Sequence, residues 1–292
     1  MAHFQYNGYN IHYRATGSQD PDARVVVLIH GLASSGRIWA WQQRALNKHY
    51  RVFSLDLPGH GDSDAWDCYS FLSVADMLNA FLNHLRAGEA DLVALSLGCS
   101  VALTFAWRYP QRVRTLVLEG PIGAILPKWH PLQWLDASFF LLLPFWLEGS
   151  LKLFGHHAVA HWLNTFGVKR PRSVALLESV QQKADLRAVR QLLWQNALPP
   201  YTSQLQYIRQ PVLIIRGCDD PMPRRFVTTL QHQLPDATLT EVPGTRHIVA
   251  MERPGIFNNL LMGFLERTGL LPSEGQTLPI PGEVDITRTL CS

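Results

Sequence analysis

The stretch Asp91-Leu-Val-Ala-Leu-Ser96-Leu-Gly98-Cys-Ser-Val-Ala-Leu103 decides how the chain is read. Its first half is an unbroken apolar run, suited to a strand buried on both faces. A helix is expected to start directly after Ser96. A serine between such a strand and helix sits on a strained turn, with its hydroxyl beyond the strand end. Strand and helix nearly collide there, so the residues two before and two after must be small; here they are Ala94 and Gly98. Read alone, the window also suits a helix-capping serine, and the rest of the chain must choose.

Working outward, apolar runs at residues 24–29, 51–55, 91–95, 114–118, 211–216 and 238–242 alternate with helical stretches. That alternation is the pattern of a mostly parallel sheet covered by helices on both faces, an α/β fold. Two alternating runs around Asn7-Gly8 add an antiparallel hairpin at the start. The alternation breaks between residues 121 and 210, where helical stretches rich in Trp, Phe and Leu are punctuated by prolines including Pro144. We expect a core domain of residues 1–120 and 211–270, a helical cap insertion at 121–210, and a loosely ordered or strap-like tail at 271–292.

Composition bounds the function classes. The 292 residues are 47% hydrophobic and 17% charged with a net charge of +3, an ordinary globular balance that argues against a nucleic-acid partner. Cys68, Cys99, Cys218 and Cys291 are widely spaced with no metal or cystine pattern, which suits unpaired thiols and a cytoplasmic location. The first residues lack a basic start followed by an apolar stretch, so no secretory signal is expected. The most apolar run, residues 137–147, is too short to span a bilayer and contains Pro144, though it suits a weak peripheral membrane contact.

Ser96 needs a general base, because a serine hydroxyl is a poor nucleophile without one. His247 follows the last expected strand, and an acid is needed to orient it; Asp219 and Asp220 both follow the strand at 211–216. Ends of parallel strands on one edge are where ligand sites form. The glycine-rich window from Asp56 to Ser63 lacks the lysine and spacing of a phosphate-binding loop and reads as a structural turn. His157 and His161 share a helical face beside His156, but no carboxylate or cysteine joins them in sequence, so no metal is expected.

Four separated windows together resemble the α/β-hydrolase superfamily over roughly residues 4–270: His30-Gly31-Leu32; Asp56 to Ser63; Ala94-Leu-Ser96-Leu-Gly98; and Gly217-Cys-Asp-Asp220 with Gly244-Thr-Arg-His247. Ala94 departs from the usual Gly-x-Ser-x-Gly, alanine being the smallest replacement. The resemblance implies a serine hydrolase in which Ser96 is nucleophile, His247 base and Asp220 the orienting acid, since the acid stands three residues after the glycine. It implies backbone N–H donors at Leu32 and Leu97 for an oxyanion hole, no cofactor, and a structural role for the Asp56 window. The apolar insertion points to an ester or thioester of an apolar acyl or aromatic substrate, with His30, Gly31, Trp129, Phe139, Trp146 and Ile248 lining the pocket. Carbon–carbon bond hydrolysis, acyl transfer or perhydrolysis, and ligand reception without turnover are the competing expectations.

Overall fold

The computed structural model describes residues 2–123, 131–181 and 183–270. Asn7 and Gly8 take φ values of 50° and 86°, the conformation a two-residue hairpin turn requires. Strand β1 (Ala2–Tyr6) therefore folds back antiparallel on β2 (Tyr9–Gly17). The apolar runs form β3 (Val25–Ile29), β4 (Arg51–Leu55), β5 (Ala90–Leu95), β6 (Val113–Glu119), β7 (Val212–Gly217) and β8 (Ala237–Val242). They make one eight-stranded sheet of order β1-β2-β4-β3-β5-β6-β7-β8, parallel from β4 onward.

Burial on both sheet faces follows the period of two. Val25, Val27 and Ile29 join one apolar cluster while Val26 and Leu28 join the other, and Leu92 and Val93 of β5 part in the same way. Helices α1 (Ala40–Leu46), α2 (Phe71–His84) and α3 (Leu97–Arg108) supply the covering layers, α2 and α3 packing together on the first face. Ser70 caps α2 by a reciprocal box with Ser73, which satisfies amides that the first helical turn leaves free.

Between β6 and β7 come α4 (Pro131–Gly167), α5 (Pro171–Gln181), α6 (Leu186–Gln195) and a 3-10 helix at Thr202–Tyr207, with no strand among the described residues. The proline at 144 does not end the helix as its sequence suggests: α4 runs through it for 37 residues. Proline forfeits one backbone hydrogen bond, but packing holds the turn before it. The Phe140 ring packs tilted against Phe226 at 6.0 Å, and the Trp194 indole donates to the Leu141 carbonyl at 3.2 Å. The apolar stretch is longer than the run at 137–147 picked out in the sequence. Trp134–Phe154, 21 residues of mean hydropathy 1.3, is long and apolar enough to cross a membrane by length and composition.

Helices α7 (Arg225–Gln233), α8 (Val249–Glu252) and α9 (Pro254–Leu270) complete the described chain. Residues 271–292, and with them the expectation of a loose tail, lie outside the described residues. Cys68 and Cys99 are free thiols, but Cys218 is disulfide-bonded, so the expectation of unpaired cysteines fails for it.

Asp56 ties the antiparallel edge to the loops above β3 and β4. Its fully buried carboxylate accepts from the Gly36 amide at 2.7 Å, the Asp62 amide at 3.0 Å and Arg14 at 3.2 Å, and meets His12 Nδ1 at 2.8 Å. Ser63 donates to the Asp56 carbonyl at 2.6 Å, so this window is a turn braced by its own side chains. Asp56→Ala strands these donors in the interior and should cost about 3–5 kcal/mol of stability. Urea unfolding would show a lower midpoint at unchanged slope; a loss under about 1 kcal/mol would mean that the donors find water instead.

Candidate active site

The turn after β5 is built by close approach. A Cβ on Gly98 would stand 2.5 Å from the His30 carbonyl oxygen and 2.8 Å from that of Ile29, so only glycine lets α3 start there. Ala94, by contrast, is paired within the sheet against Ile29 and Leu118, where a methyl group fits. Ser96 takes φ 53° and ψ −117°, a strained conformation for a residue with a side chain. Its amide donates to the Glu119 carbonyl at 2.8 Å, which holds the turn against the end of β6.

Loops after β7 and β8 bring the other two residues to the same edge. His247 Nε2 lies 2.9 Å from Ser96 Oγ, and His247 Nδ1 lies 2.9 Å from Asp220 Oδ2. An ionised carboxylate can only accept, so Nδ1 carries the proton and Nε2 accepts from the serine hydroxyl. Asp220 Oδ1 accepts from the Met222 amide at 2.9 Å. Burial works hardest on both groups, raising Asp220 and lowering His247. Their mutual attraction and hydrogen bond outweigh it, so Asp220 ends below and His247 above its ordinary value. Asp219 points elsewhere: it is half-exposed and ion-paired with Lys169.

Two supporting residues were not singled out from the sequence. Buried Arg216 donates to the Asp220 carbonyl at 2.9 Å and the Met222 carbonyl at 3.0 Å, fixing the loop that carries the acid. Glu119, at the end of β6, is fully buried; one oxygen accepts from the Ala250 amide at 2.7 Å and the other has no partner among the described residues. Burial pushes this carboxyl up to about 8, while the Ala250 amide and His247 pull it back. A lone carboxylate ending an apolar strand was the available signal for it.

The other expected residues divide. Gly31 lies against Ser96, a Cβ there falling 3.3 Å from the serine Cβ. His30 is fully buried, accepts from the Leu57 amide at 2.9 Å and contacts the Gly31 carbonyl, a bracing role. Ile248 is buried in the core directly after His247. Leu32 lines a cavity of about 610 Å³ with Ala33, Pro144, Leu147, Leu151 and Leu163, among others; Ser96 and His247 are not in its wall. Phe139 and Trp146 do not line it either. They stand on the opposite side of α4, 44% and 47% exposed, so their placement in the pocket is corrected. Trp129 and the side chains of His156 and His157 lie outside the described residues, while His161 meets Glu178 at 2.7 Å.

Comparison with known proteins agrees with the fold. The family model for the alpha/beta hydrolase fold matches residues 24–254. A pimeloyl-[acyl-carrier protein] methyl ester esterase of Nitrosomonas europaea is 27% identical, the match covering 85% of this chain and 96% of that one. A 2-hydroxy-6-oxononadienedioate/2-hydroxy-6-oxononatrienedioate hydrolase of Burkholderia vietnamiensis is 28% identical over 88% and 91%. The solved enol-lactonase of Burkholderia xenovorans LB400 superposes with a TM-score of 0.75 at 22% identity, covering 91% of this chain and all of that one, a likeness of fold.

The buried carboxyl of Glu119 gives folding a pH dependence of known sign. Unfolded, it titrates near 4.5, so between there and about 8 the folded chain holds the extra proton. The stability it contributes is greatest at and below the lower value and is lost as pH rises toward the upper one. Glu119→Gln should remove that slope in denaturant unfolding at a series of pH values. Parallel curves for variant and native chains would show that the carboxyl is already ionised in the fold.

Proposed function

Because the chain belongs to the α/β-hydrolase family, we propose that it is a serine hydrolase cleaving an ester or thioester of an apolar acyl or aromatic substrate through an acyl-enzyme on Ser96. The hydrogen-bonded series Asp220–His247–Ser96 carries this reading. Ser96 Oγ attacks the carbonyl carbon as His247 Nε2 takes the hydroxyl proton. That proton passes to the leaving alcohol or thiol, which departs with the electrons of the broken bond. Water then attacks the acyl-serine, giving its proton to His247, and the acid is released with Ser96 restored.

The tetrahedral intermediates need donors at the developing oxyanion. Leu97 opens α3, where backbone amides are unpaired and the helix dipole favours negative charge. Leu32 stands beside the turn and, like Leu97, donates to no protein acceptor among the described residues. These two amides serve as the oxyanion hole. The helices from α4 to α6 act as the cap, and the apolar cavity they share with Leu32 and Ala33 receives the acyl chain. The methyl ester esterase among the relatives is in keeping with an acyl ester. The carbon–carbon hydrolase among them has no particular side chain in this site that favours its reaction here.

The test is a series of p-nitrophenyl esters of graded acyl length, with Ser96→Ala alongside. Loss of roughly 10^4-fold or more in turnover with unchanged stability is expected from the variant; full activity in it would sink the mechanism. The acyl length with the highest kcat/KM measures the cavity. Folded protein that turns over none of these esters would overturn the ester reading.

The pH profile has a predicted sign. The base must be neutral, and His247 is held above its ordinary 6.5 by Asp220, so kcat/KM should rise with pH through a midpoint above that value. Asp220→Asn should move the limb to lower pH while cutting kcat by about 10^4-fold. An unmoved limb would mean that another group sets it.

A further inference from the structure

Helix α4 is apolar all round, a pattern found in helices buried in a large core or in lipid. Here only one side is buried. Ala137, Phe140 and Pro144 pack inward, and Leu147 and Leu151 on the same side line the cavity. The opposite side carries Leu135, Phe139, Leu142, Trp146 and Leu153, with Leu135, Leu142 and Leu153 at 61%, 64% and 75% exposure. Of the apolar 18-residue window within Trp134–Phe154, 17% is buried, which separates it from the core helix of a soluble protein. It also stands far from the N-terminus, which separates it from a signal sequence.

We propose that this outer face of α4 docks the protein on a lipid bilayer, the helix lying in the plane of the interface with these side chains among the acyl chains. The polarity of the face favours lipid over a protein partner. From Trp134 to Trp146 its exposed positions include one polar side chain, Ser138. Protein interfaces carry about one hydrogen bond per 100–200 Å², whereas acyl chains ask for none. Charges gather instead at the far end and around the cavity: Lys152, Arg187 and Arg190, with Glu148 and Glu178 among them. Glu148 pairs with Lys152 at 3.0 Å and Asp185 with Arg187 at 3.3 Å, so most of these charges offset one another and the face itself stays neutral.

The inner face decides between lying on the membrane and crossing it. Asp136 is 2% exposed and ion-paired with Arg225 of α7. Spanning would tear that pair apart and carry Asp136 into hydrocarbon, at a cost of about 2.5–3.5 kcal/mol even on the mildest scale. An in-plane helix keeps the pair and still buries the opposite side.

The test uses the whole chain and does not depend on its catalysis. Flotation is measured with vesicles of phosphatidylcholine alone and of phosphatidylcholine mixed with phosphatidylglycerol. Native protein should float with vesicles of both compositions, because acyl chains rather than headgroup charge hold the face. The double variant Leu142→Glu, Leu153→Glu should bind about tenfold less or weaker still, with unchanged near-UV circular dichroism and melting temperature. Both positions are exposed and outside the cavity wall, and the single variants stand in if the double variant fails to fold. Three results would overturn the proposal: folded native protein that stays with neither vesicle, flotation undiminished in the variants, or a dimer in place of vesicle binding that the same substitutions dissolve.

Discussion

A side-chain carbon at position 98 would sit 2.5 Å from one backbone oxygen of the neighbouring strand segment and 2.8 Å from another. This contact sets how near α3 may come to the end of β3, and the geometry of the site follows from it. With α3 pressed so close, the chain leaving β5 has one residue in which to reverse, and Ser96 takes the positive φ. Gly217 is subject to the same kind of constraint at β7. A Cβ there would fall 2.0 Å from the Arg246 carbonyl, so the loop bearing His247 lies directly on the strand that leads to Asp220. Close approach of main chain to main chain, more than side-chain attraction, brings three distant segments to hydrogen-bonding distance.

Electrostatics then works on a frame already set. His247 stands between two carboxyl groups of unlike character: Asp220, low and accepting its Nδ1 proton, and Glu119, buried and raised. The positive charge that the ring gains during turnover is met by a fixed anion on one side. On the other side burial holds the Glu119 carboxyl raised, which limits the negative charge it adds. Arg216 anchors the Asp220 loop through carbonyls rather than through the carboxylate itself, leaving Oδ2 to the histidine.

Much of this was legible in the sequence, for stated physical reasons. Strands buried on both faces must be continuously apolar, so β3 to β7 stand out, and strand ends are where their alternation with polar loops is sharpest. Ser96, Asp220 and His247 could be placed because each directly follows such a run. Glu119 follows one too, but a single carboxylate without a partner in sequence does not announce its burial. The facing of α4 was not legible at all. A helix apolar on every side carries no phase, and Phe139 and Trp146 read as well inward as outward until packing against α6 and α7 selects Phe140 and Pro144. Pro144 misled for a related reason: whether a proline ends a helix or bends it depends on what grips the turns on either side.

The two sides of α4 also divide labour within a single turn. Leu147 belongs to the cavity wall and Trp146 to the outer surface, one residue apart. Substitutions at 144, 147 and 151 reshape the chamber while leaving the outside as it is, and those at 135, 142 and 153 do the reverse. A lineage can therefore change which molecules fit inside without changing where the protein resides, and relocate it without relearning its chemistry. One helix offers selection two nearly independent dials.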